Sequence, residues 1–389
     1  MNYRKFGNCG YEVSALGLGC MRLPQVVDEK TKMPTAQVDL DKAIEIIQYA
    51  ADNGINYFDT AYGYHSKMSE SVLGEALSYG GRRKRVKIAT KQPLGAMGGK
   101  RENIRKNLES ALTKLRTDYI DVYLMHAVDG NTWDSFKALG AIEEWQKFRE
   151  EGLIKSIAFS FHGNYTDFAR VFSDFDWDMC QVQHNMLDLE NEATLEGVQL
   201  AGKKGCAVVI MEPLRGGGLA HAPERVKELY NSYDSERLPV EWAFKYLLDK
   251  PEISTILSGM STLEQLKQNI EIFSKPQNTV NSLTEQEKKI LSEAKARYES
   301  FVTVPCTGCE YCLPCPKKVA IPNIFRKYND GMMFGAFGQA KREYWFNVAS
   351  GSDAEKCVEC GACESKCPQK IKIIESLKTA HESLKGHIE

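Results

Sequence analysis

The chain has 389 residues, of which 43% are hydrophobic and 26% are charged, and its formal net charge is -2. This length allows one large domain or two to three ordinary ones, and the composition is typical of a globular protein. The charge balance argues against nucleic-acid binding, and no apolar run reaches the ~20 residues that a membrane span requires. Because the N-terminus also lacks the apolar segment of a signal peptide, the sequence predicts a cytoplasmic protein.

Short apolar runs alternate with amphipathic helical patterns from about residue 12 to 272. Helical periodicity is clear at 40–53, 103–115, 135–151 and 194–204, and Gly54, Gly152 and Gly205 follow helices at positions that favour a left-handed cap. A doubly wound open sheet would need a third glycine in the turn after the first run, and the segment 17–20 (GLGC) lacks it. Eight buried strands with helices between them therefore predict a (β/α)8 TIM barrel. The apolar runs are 13–19, 55–58, 86–90, 120–125, 154–159, 179–182, 206–211 and 253–257.

The remainder of the chain reads as a separate unit. An amphipathic stretch at 282–299 predicts a linking helix, so we expect a barrel at 1–280, a linking helix at 281–300 and a small, mostly helical domain at 301–389. Of the twelve cysteines, eight lie between residues 306 and 367. In a reducing compartment such a density indicates metal ligation rather than disulfides.

Ionisable side chains follow the second, third and fourth predicted strands. In a barrel the carboxyl ends of the strands meet at one mouth, which would bring Asp59, Lys91 and His126 together with a tyrosine from the second loop. A lysine beside a tyrosine lowers the tyrosine pKa, a carboxylate holds the lysine charged, and a histidine can bind a substrate oxygen. A single polar residue at a strand end is more often merely solvent-facing, but the four together predict a proton donor for a carbonyl that receives a hydride.

Three of these motifs resemble those of the aldo-keto reductase family. The segment 58–64 (FDTAYGY) is similar to the family's second-strand motif, 89–91 (ATK) to its third-strand lysine and 123–126 (YLMH) to its fourth-strand histidine. The resemblance implies an NAD(P)H-dependent oxidoreductase that acts on a small-molecule carbonyl or alcohol. It also implies a general acid at Tyr64, within a catalytic tetrad of Asp59, Tyr64, Lys91 and His126.

The same resemblance implies positions for the coenzyme. Gly259 and Gln265 stand where NADPH-preferring members carry Lys and Arg, which favours NADH and leaves Lys267 and Arg215 as the cations for a 2′-phosphate. The ring-stacking aromatic is replaced by Met211, so a flavin (FMN) at the mouth stays open. Cys20 also lies at the mouth, either as an apolar filler or as a cofactor contact. The remaining coenzyme positions implied are Ser160, Gln181, Leu214, Gly216, Ser261 and Asn269.

The clustered cysteines form two runs. The second has the C-x2-C-x2-C-x3-C-P spacing of two-cluster ferredoxins, and the first, with x2 as its last spacing, departs slightly from it. Zinc is the competing interpretation, but zinc knuckles pair separated C-x2-C units, whereas here the units overlap. We therefore predict two 4Fe–4S clusters with crossed ligands. One is held by Cys306, Cys309, Cys312 and Cys367, and the other by Cys357, Cys360, Cys363 and Cys315.

The whole chain resembles the aldo-keto reductase subgroup with a C-terminal ferredoxin-like extension. That combination predicts hydride transfer coupled through the clusters to a one-electron carrier, such as a ferredoxin or flavodoxin. Nicotinamide releases two electrons together and a cluster accepts one, so a flavin is the expected intermediary. Two alternatives stay open: a conventional NAD(P)H carbonyl reductase with structural or oxygen-sensing clusters, and a non-catalytic electron-transfer subunit.

Overall fold

The computed structural model describes residues 1–29, 34–335 and 337–386. Two antiparallel hairpins lie outside the barrel: β1 (Tyr3–Lys5) with β2 (Glu12–Ser14), and β4 (Gln25–Val27) with β5 (Pro34–Val38). The other strands are β3 (Leu16–Gly19), β6 (Tyr57–Asp59), β7 (Lys87–Pro93), β8 (Ile120–Val128), β9 (Ile154–Phe161), β10 (Met179–Gln183), β11 (Ala207–Met211) and β12 (Ile253–Ser258).

These last eight strands form a closed parallel barrel, which confirms the predicted fold class. Each pairs with the next in chain order, and β12 closes on β3 with Ile256 opposite Leu16 and Ser258 opposite Leu18. The strands correspond to the eight apolar runs of the sequence, because parallel strands covered on both faces are apolar throughout. Their carboxyl ends therefore share one mouth.

Helices connect the strands and extend beyond them. They are α1 (Leu40–Asp52), α2 (Ser69–Ser78), α3 (Arg82–Arg85), α4 (Leu94–Met97), α5 (Glu102–Leu115), α6 (Gly130–Ala138), α7 (Ala141–Glu150), α8 (Tyr165–Ser173), α9 (Thr194–Lys203), α10 (Glu224–Tyr233), α11 (Pro239–Leu248), α12 (Leu263–Ser274), α13 (Glu285–Glu299), α14 (Ile321–Phe334), α15 (Phe337–Ala349) and α16 (Ile373–Leu384). Among the described residues, none of these helices combines the length and apolarity needed to cross a bilayer.

Local sequence explains where the helices begin and end. α1 begins after Asp39, whose carboxylate accepts a hydrogen bond from the Lys42 N–H, and it ends before Gly54, whose φ is 93°. The single helix predicted at 135–151 is instead two helices, α6 and α7. The break is at Gly140, whose φ of 69° is a left-handed conformation that ends one helix and begins the next.

The chain divides into two compact units. One consists of Met1–Leu214 and Ala243–Leu283, and the other of Arg215–Trp242 and Thr284–Glu389. The predicted domain boundaries divide the chain in sequence, whereas these units also group Arg215–Trp242 with the C-terminal part. Within the second unit, α10 packs against α13, and the Arg237 guanidinium donates to Glu287 Oε1 over 2.7 Å.

Candidate active site and metal centres

Lys91 is the centre of the polar cluster at the barrel mouth. It lies on β7 and is only 1% exposed. Its Nζ donates to Asp59 Oδ1 at 2.5 Å and to the Thr60 carbonyl at 2.9 Å, and it lies 3.4 Å from Tyr64 Oη. The rings of Tyr64 and His126 meet edge to face with their centroids 6.0 Å apart. The structure therefore brings the four residues of the predicted tetrad together.

An unusual backbone turn presents Tyr64. The three residues that follow it, His65, Ser66 and Lys67, all have positive φ, at 48°, 53° and 74°. Non-glycine residues adopt this conformation only where the surrounding structure holds it, and such strain concentrates at functional sites. The Leu23 N–H donates to His65 Nε2 over 3.2 Å, which ties the turn to the first barrel loop.

Burial dominates the electrostatics of the tetrad. It raises the pKa of Asp59, although the Lys91 ammonium opposes this rise. Burial alone would lower the pKa of Lys91, but Asp59 and Tyr64 together outweigh it and the pKa is raised, so the lysine is charged. Desolvation of the phenol raises the pKa of Tyr64. Lys91 acts to lower it, as the sequence predicts, but by less, so the net pKa is raised.

His126 is a neutral imidazole. Burial, followed by the positive charge of Lys91 and by His162, lowers its pKa to about 3. A neutral histidine donates one N–H without carrying a charge into the site. His162 itself contacts Glu192 Oε1 through Nδ1 at 3.1 Å, and because of that carboxylate its pKa is raised despite burial.

The predicted nicotinamide positions lie on neighbouring strands. Gln181 on β10 is opposite Ser160 on β9, and Gln183 is opposite Met211 on β11. Ser160 Oγ accepts a bond from the Ala127 N–H at 2.9 Å, so its hydroxyl proton can be donated elsewhere. Gln181 Nε2 faces Met211 Sδ at 3.8 Å, while its buried Oε1 has no partner among the described residues. An orphaned buried amide oxygen fits a carboxamide ligand.

The loop after β12 carries the predicted adenosine positions. Asn269 Nδ2 donates to Ser258 Oγ at 3.1 Å, and the Ser261 N–H donates to Gln265 Oε1 at 2.9 Å. Gly259 lies against the side chain of Arg22. A Cβ atom added to Gly259 would be 3.0 Å from Arg22 Cβ.

Sequence reasoning missed Arg22, since only barrel closure brings the first loop beside the last. The two cations proposed instead are engaged within their own units: Lys267 lies over the ring of Tyr49, and Arg215 pairs with Asp330 at 3.0 Å.

The other predicted mouth residues are placed as follows. Cys20 is fully buried, and burial raises its thiol pKa, as expected for an apolar filler. Leu214 is the last residue of its segment of the first unit. Gly216, with φ of 68°, lies in a turn of the second unit.

Two cavities in the second unit are lined by the clustered cysteines. Cavity A is lined by Cys306, Cys309, Cys312 and Cys367. Cavity B is lined by Cys315, Cys357, Cys360 and Cys363, and Cys312 reaches it as well. Each cavity thus collects one of the two crossed sets.

The donor chemistry of both cavities fits iron–sulfur clusters. None of the twelve cysteines forms a disulfide, and the cavity walls include apolar residues such as Ile321 and Ile373. Burial raises the pKa of the Cys312 thiol to about 11, so a bound cation is needed to hold it as thiolate. The described residues contain no group of three ligands tight enough for a single metal ion. The cysteines of a 4Fe–4S cubane lie further apart than the ligands of a single ion, because each cysteine binds a different iron atom.

Comparison with known proteins assigns a family to each part of the chain. The aldo/keto reductase family matches residues 15–288, and the 4Fe-4S dicluster domain matches residues 305–371. An uncharacterized oxidoreductase of Bacillus subtilis, YrpG, is 28% identical over 69% of this chain and 90% of its own. A probable aldo-keto reductase 1 of Glycine max is 28% identical over 68% of this chain and 82% of its own.

Solved structures show the same architecture. The holo form of the aldo-keto reductase AKR11C1 from Bacillus halodurans has a TM-score of 0.62 and 26% identity, covering 76% of this chain and 96% of that one. The thermostable aldo-keto reductase Tm1743 has a TM-score of 0.60 at 23% identity, covers 76% of this chain and all of that one, and supports the fold alone. The chain therefore belongs to the aldo/keto reductase family and is an oxidoreductase with a C-terminal 4Fe–4S dicluster domain.

Proposed function

We propose that this protein transfers a hydride between a nicotinamide coenzyme and a small carbonyl or alcohol, with Tyr64 as the general acid and base. The observation that carries the proposal is the buried Lys91 ammonium, which contacts Asp59, the Thr60 carbonyl and Tyr64 Oη. A phenol with a fixed ammonium beside it can release its proton at lower cost, because the developing phenolate is stabilised where it forms.

Each residue has a role that follows from its surroundings. NAD(P)H supplies the hydride when it is bound, and Ser160 and Gln181 are the groups that would hold its carboxamide. Tyr64 donates its hydroxyl proton to the carbonyl oxygen, while Lys91 stabilises the oxygen of Tyr64 that has lost the proton. Asp59 keeps Lys91 charged and in place. Neutral His126 donates a hydrogen bond that orients the substrate oxygen.

Replacing Tyr64 with Phe tests this assignment. With 4-nitrobenzaldehyde as the probe, we expect Tyr64→Phe to lower kcat by about 10²- to 10⁴-fold while coenzyme still binds. Tyr62→Phe is the matched control, two residues earlier on the same loop, and should stay near wild type. Full activity of Tyr64→Phe would overturn the catalytic proposal and leave the electron-transfer subunit as the better description.

We further propose that two 4Fe–4S clusters occupy cavities A and B and exchange electrons with a one-electron carrier. The crossed cysteine sets that line the cavities support two separate clusters. Cys315→Ser tests the ligation, and iron should fall from about eight to about four atoms per chain. Cys9→Ser, in the barrel unit, is the control and should keep the full iron content.

The coupling between hydride and single electrons has its own test. Hydride arrives as an electron pair and each cluster takes one electron, so we include a flavin at the barrel mouth as the intermediary. An anaerobic NADH titration, repeated with NADPH, should bleach the visible iron–sulfur absorbance, and acid extraction should release FMN. Bound coenzyme without bleaching would favour a conventional carbonyl reductase with structural clusters. Cysteines that carry clusters and no disulfides also suit a reducing compartment, which supports the cytoplasm.

A further inference from the structure

The two cluster cavities differ in charge. Cavity B has two lysines in its lining, Lys317 and Lys366, and no carboxylate among the described residues that line it. Cavity A has Glu310 in its lining and no cationic side chain among its described lining residues. A charged group beside a metal cluster acts at short range in a partly desolvated site, so this difference acts on the cluster itself.

The carboxylates near cavity B lie outside its lining. Glu359, which precedes Cys360, pairs with Lys378 at 2.7 Å, whereas Glu364, which follows Cys363, accepts a hydrogen bond from the Ile374 N–H at 2.9 Å and keeps its negative charge, so it offsets the two lysines in part. Glu355 is exposed and is followed directly by Lys356, which is also exposed. Neither Lys317 nor Lys366 forms an ion pair within the described part of the chain. The rim of cavity B is therefore basic.

The same rim reaches the protein surface. Cys360 is exposed, and Val358, two residues before it, is 56% exposed. Lys366 also borders a shallow depression that it shares with Tyr311, which is 65% exposed, and with Cys309 and Glu310 of cavity A. An apolar centre surrounded by charged residues is the usual composition of a protein-docking surface, and the sign of the rim selects the partner.

We propose that electrons enter and leave this protein at the cluster of cavity B, through a partner protein that presents an acidic face around its own one-electron centre. In the outward direction, one electron leaves the reduced cluster, which returns to its oxidised state, and enters the partner's centre. The inference rests on the proposed electron-transfer function and specifies which cluster serves it and what charge the partner carries.

The charges also give the two clusters different reduction potentials. Reduction adds a negative charge, which Lys317 and Lys366 stabilise at cavity B and which Glu310 disfavours at cavity A. The cluster in cavity B therefore has the higher reduction potential. This cluster accepts an electron from the cluster in cavity A, and the electron then resides next to the docking surface.

The test uses the full-length holoprotein with its clusters reduced chemically by dithionite and the excess removed. Stopped-flow mixing with an acidic flavodoxin should show a rate that decreases with salt, and Lys317→Glu with Lys366→Glu should lower that rate about tenfold or more at low ionic strength. A basic cytochrome c should respond in the opposite direction. A neutral quinone should show no loss of rate, because it carries no charge for the lysines to attract.

Lys289→Glu, an exposed lysine on α13 that lines neither cavity, is the matched control and should behave as wild type. An unchanged flavodoxin rate in the double variant, or an equal loss in Lys289→Glu, would overturn the proposal. Because the electrons come from dithionite, the result does not depend on whether NADH reduces the clusters. If NADH did not reduce the clusters, the rates of electron transfer to flavodoxin after dithionite reduction would still be the same.

A redox titration followed by electron paramagnetic resonance is the second readout. Lys317→Gln with Lys366→Gln should lower the potential of the higher-potential cluster by more than that of the other, because Lys317 lines cavity B alone while Lys366 also borders Cys309 of cavity A. A larger shift of the lower-potential cluster, or equal shifts of both, would contradict the assignment even if flavodoxin binding changed.

Discussion

Replacing Lys91 with Met separates the role of its charge from the role of its bulk. The ammonium lies 3.4 Å from Tyr64 Oη. At that distance, with an effective dielectric constant of about 20, a full negative charge on the phenol is stabilised by about 5 kcal/mol. With half of that charge developed in the transition state, about 2.5 kcal/mol is lost, so we expect kcat to fall roughly 10²-fold, and up to about 10³-fold for fuller transfer.

The assay is steady-state reduction of 4-nitrobenzaldehyde at saturating coenzyme, with coenzyme affinity measured separately by fluorescence. Lys87→Met is the matched control. Lys87 lies at the opposite end of β7 and pairs with Asp121, so the same change there should leave kcat near wild type.

The smaller variant Lys91→Ala adds a further readout. Propylammonium ion in the buffer should partly restore its rate, which a purely structural lysine would not explain. A Lys91→Met enzyme that binds coenzyme and keeps wild-type kcat would refute the reasoning.

Other predictions concern protonation, coenzyme choice and stability. Because the pKa of His126 is about 3, kcat/KM should show no limb from an imidazole between about pH 5 and 8, and such a limb that vanishes in His126→Gln would contradict the neutral assignment. The depressed folded pKa also means that the unfolded state takes up the proton first, so stability should decrease as pH falls below about 6.5, and less so in His126→Gln. Arg22→Ala should raise the KM for NADPH about tenfold more than that for NADH if its guanidinium binds the 2′-phosphate; equal changes would exclude that role. Asp121→Asn should cost about 3 kcal/mol and lower the thermal midpoint by about 10 °C, since buried Asp121 binds Arg83 at 3.0 Å and the Ile88 N–H. Asp134→Asn, at an exposed pair, should change the midpoint by a degree or two at most and serves as its comparison.

The barrel could be predicted from the sequence because its strands are buried on both faces. Each strand contains an apolar run, and several helix boundaries carry a glycine or a capping residue, as at Asp39 and Gly54. Strand ends in a barrel converge, which predicted that Asp59, Lys91 and His126 meet, and the family resemblance selected Tyr64 as the fourth residue. These signals are local or periodic, and one sequence displays them directly.

What could not be predicted depends on contacts between distant segments. The approach of Arg22 to Gly259 requires closure of the first strand on the last. The pKa of Tyr64 depends on how completely the fold removes water from the phenol, and that loss outweighs the nearby ammonium. The stretch Arg215–Trp242 carries an amphipathic pattern like any barrel helix, and nothing in the pattern indicates that it packs with α13 in another unit.

The grouping of Arg215–Trp242 with the C-terminal part affects how the chain folds during synthesis. The chain crosses between its two compact units at Leu214, at Trp242 and at Leu283, so neither unit is one continuous stretch. At roughly 5–20 residues per second of synthesis, α10 emerges several seconds before α13, the helix that covers it. α10 buries Val226, Leu229 and Tyr230 in the folded protein, so these side chains stay exposed on the nascent chain during that interval. The time between the synthesis of α10 and that of α13 therefore sets how long these apolar side chains can contact another partner.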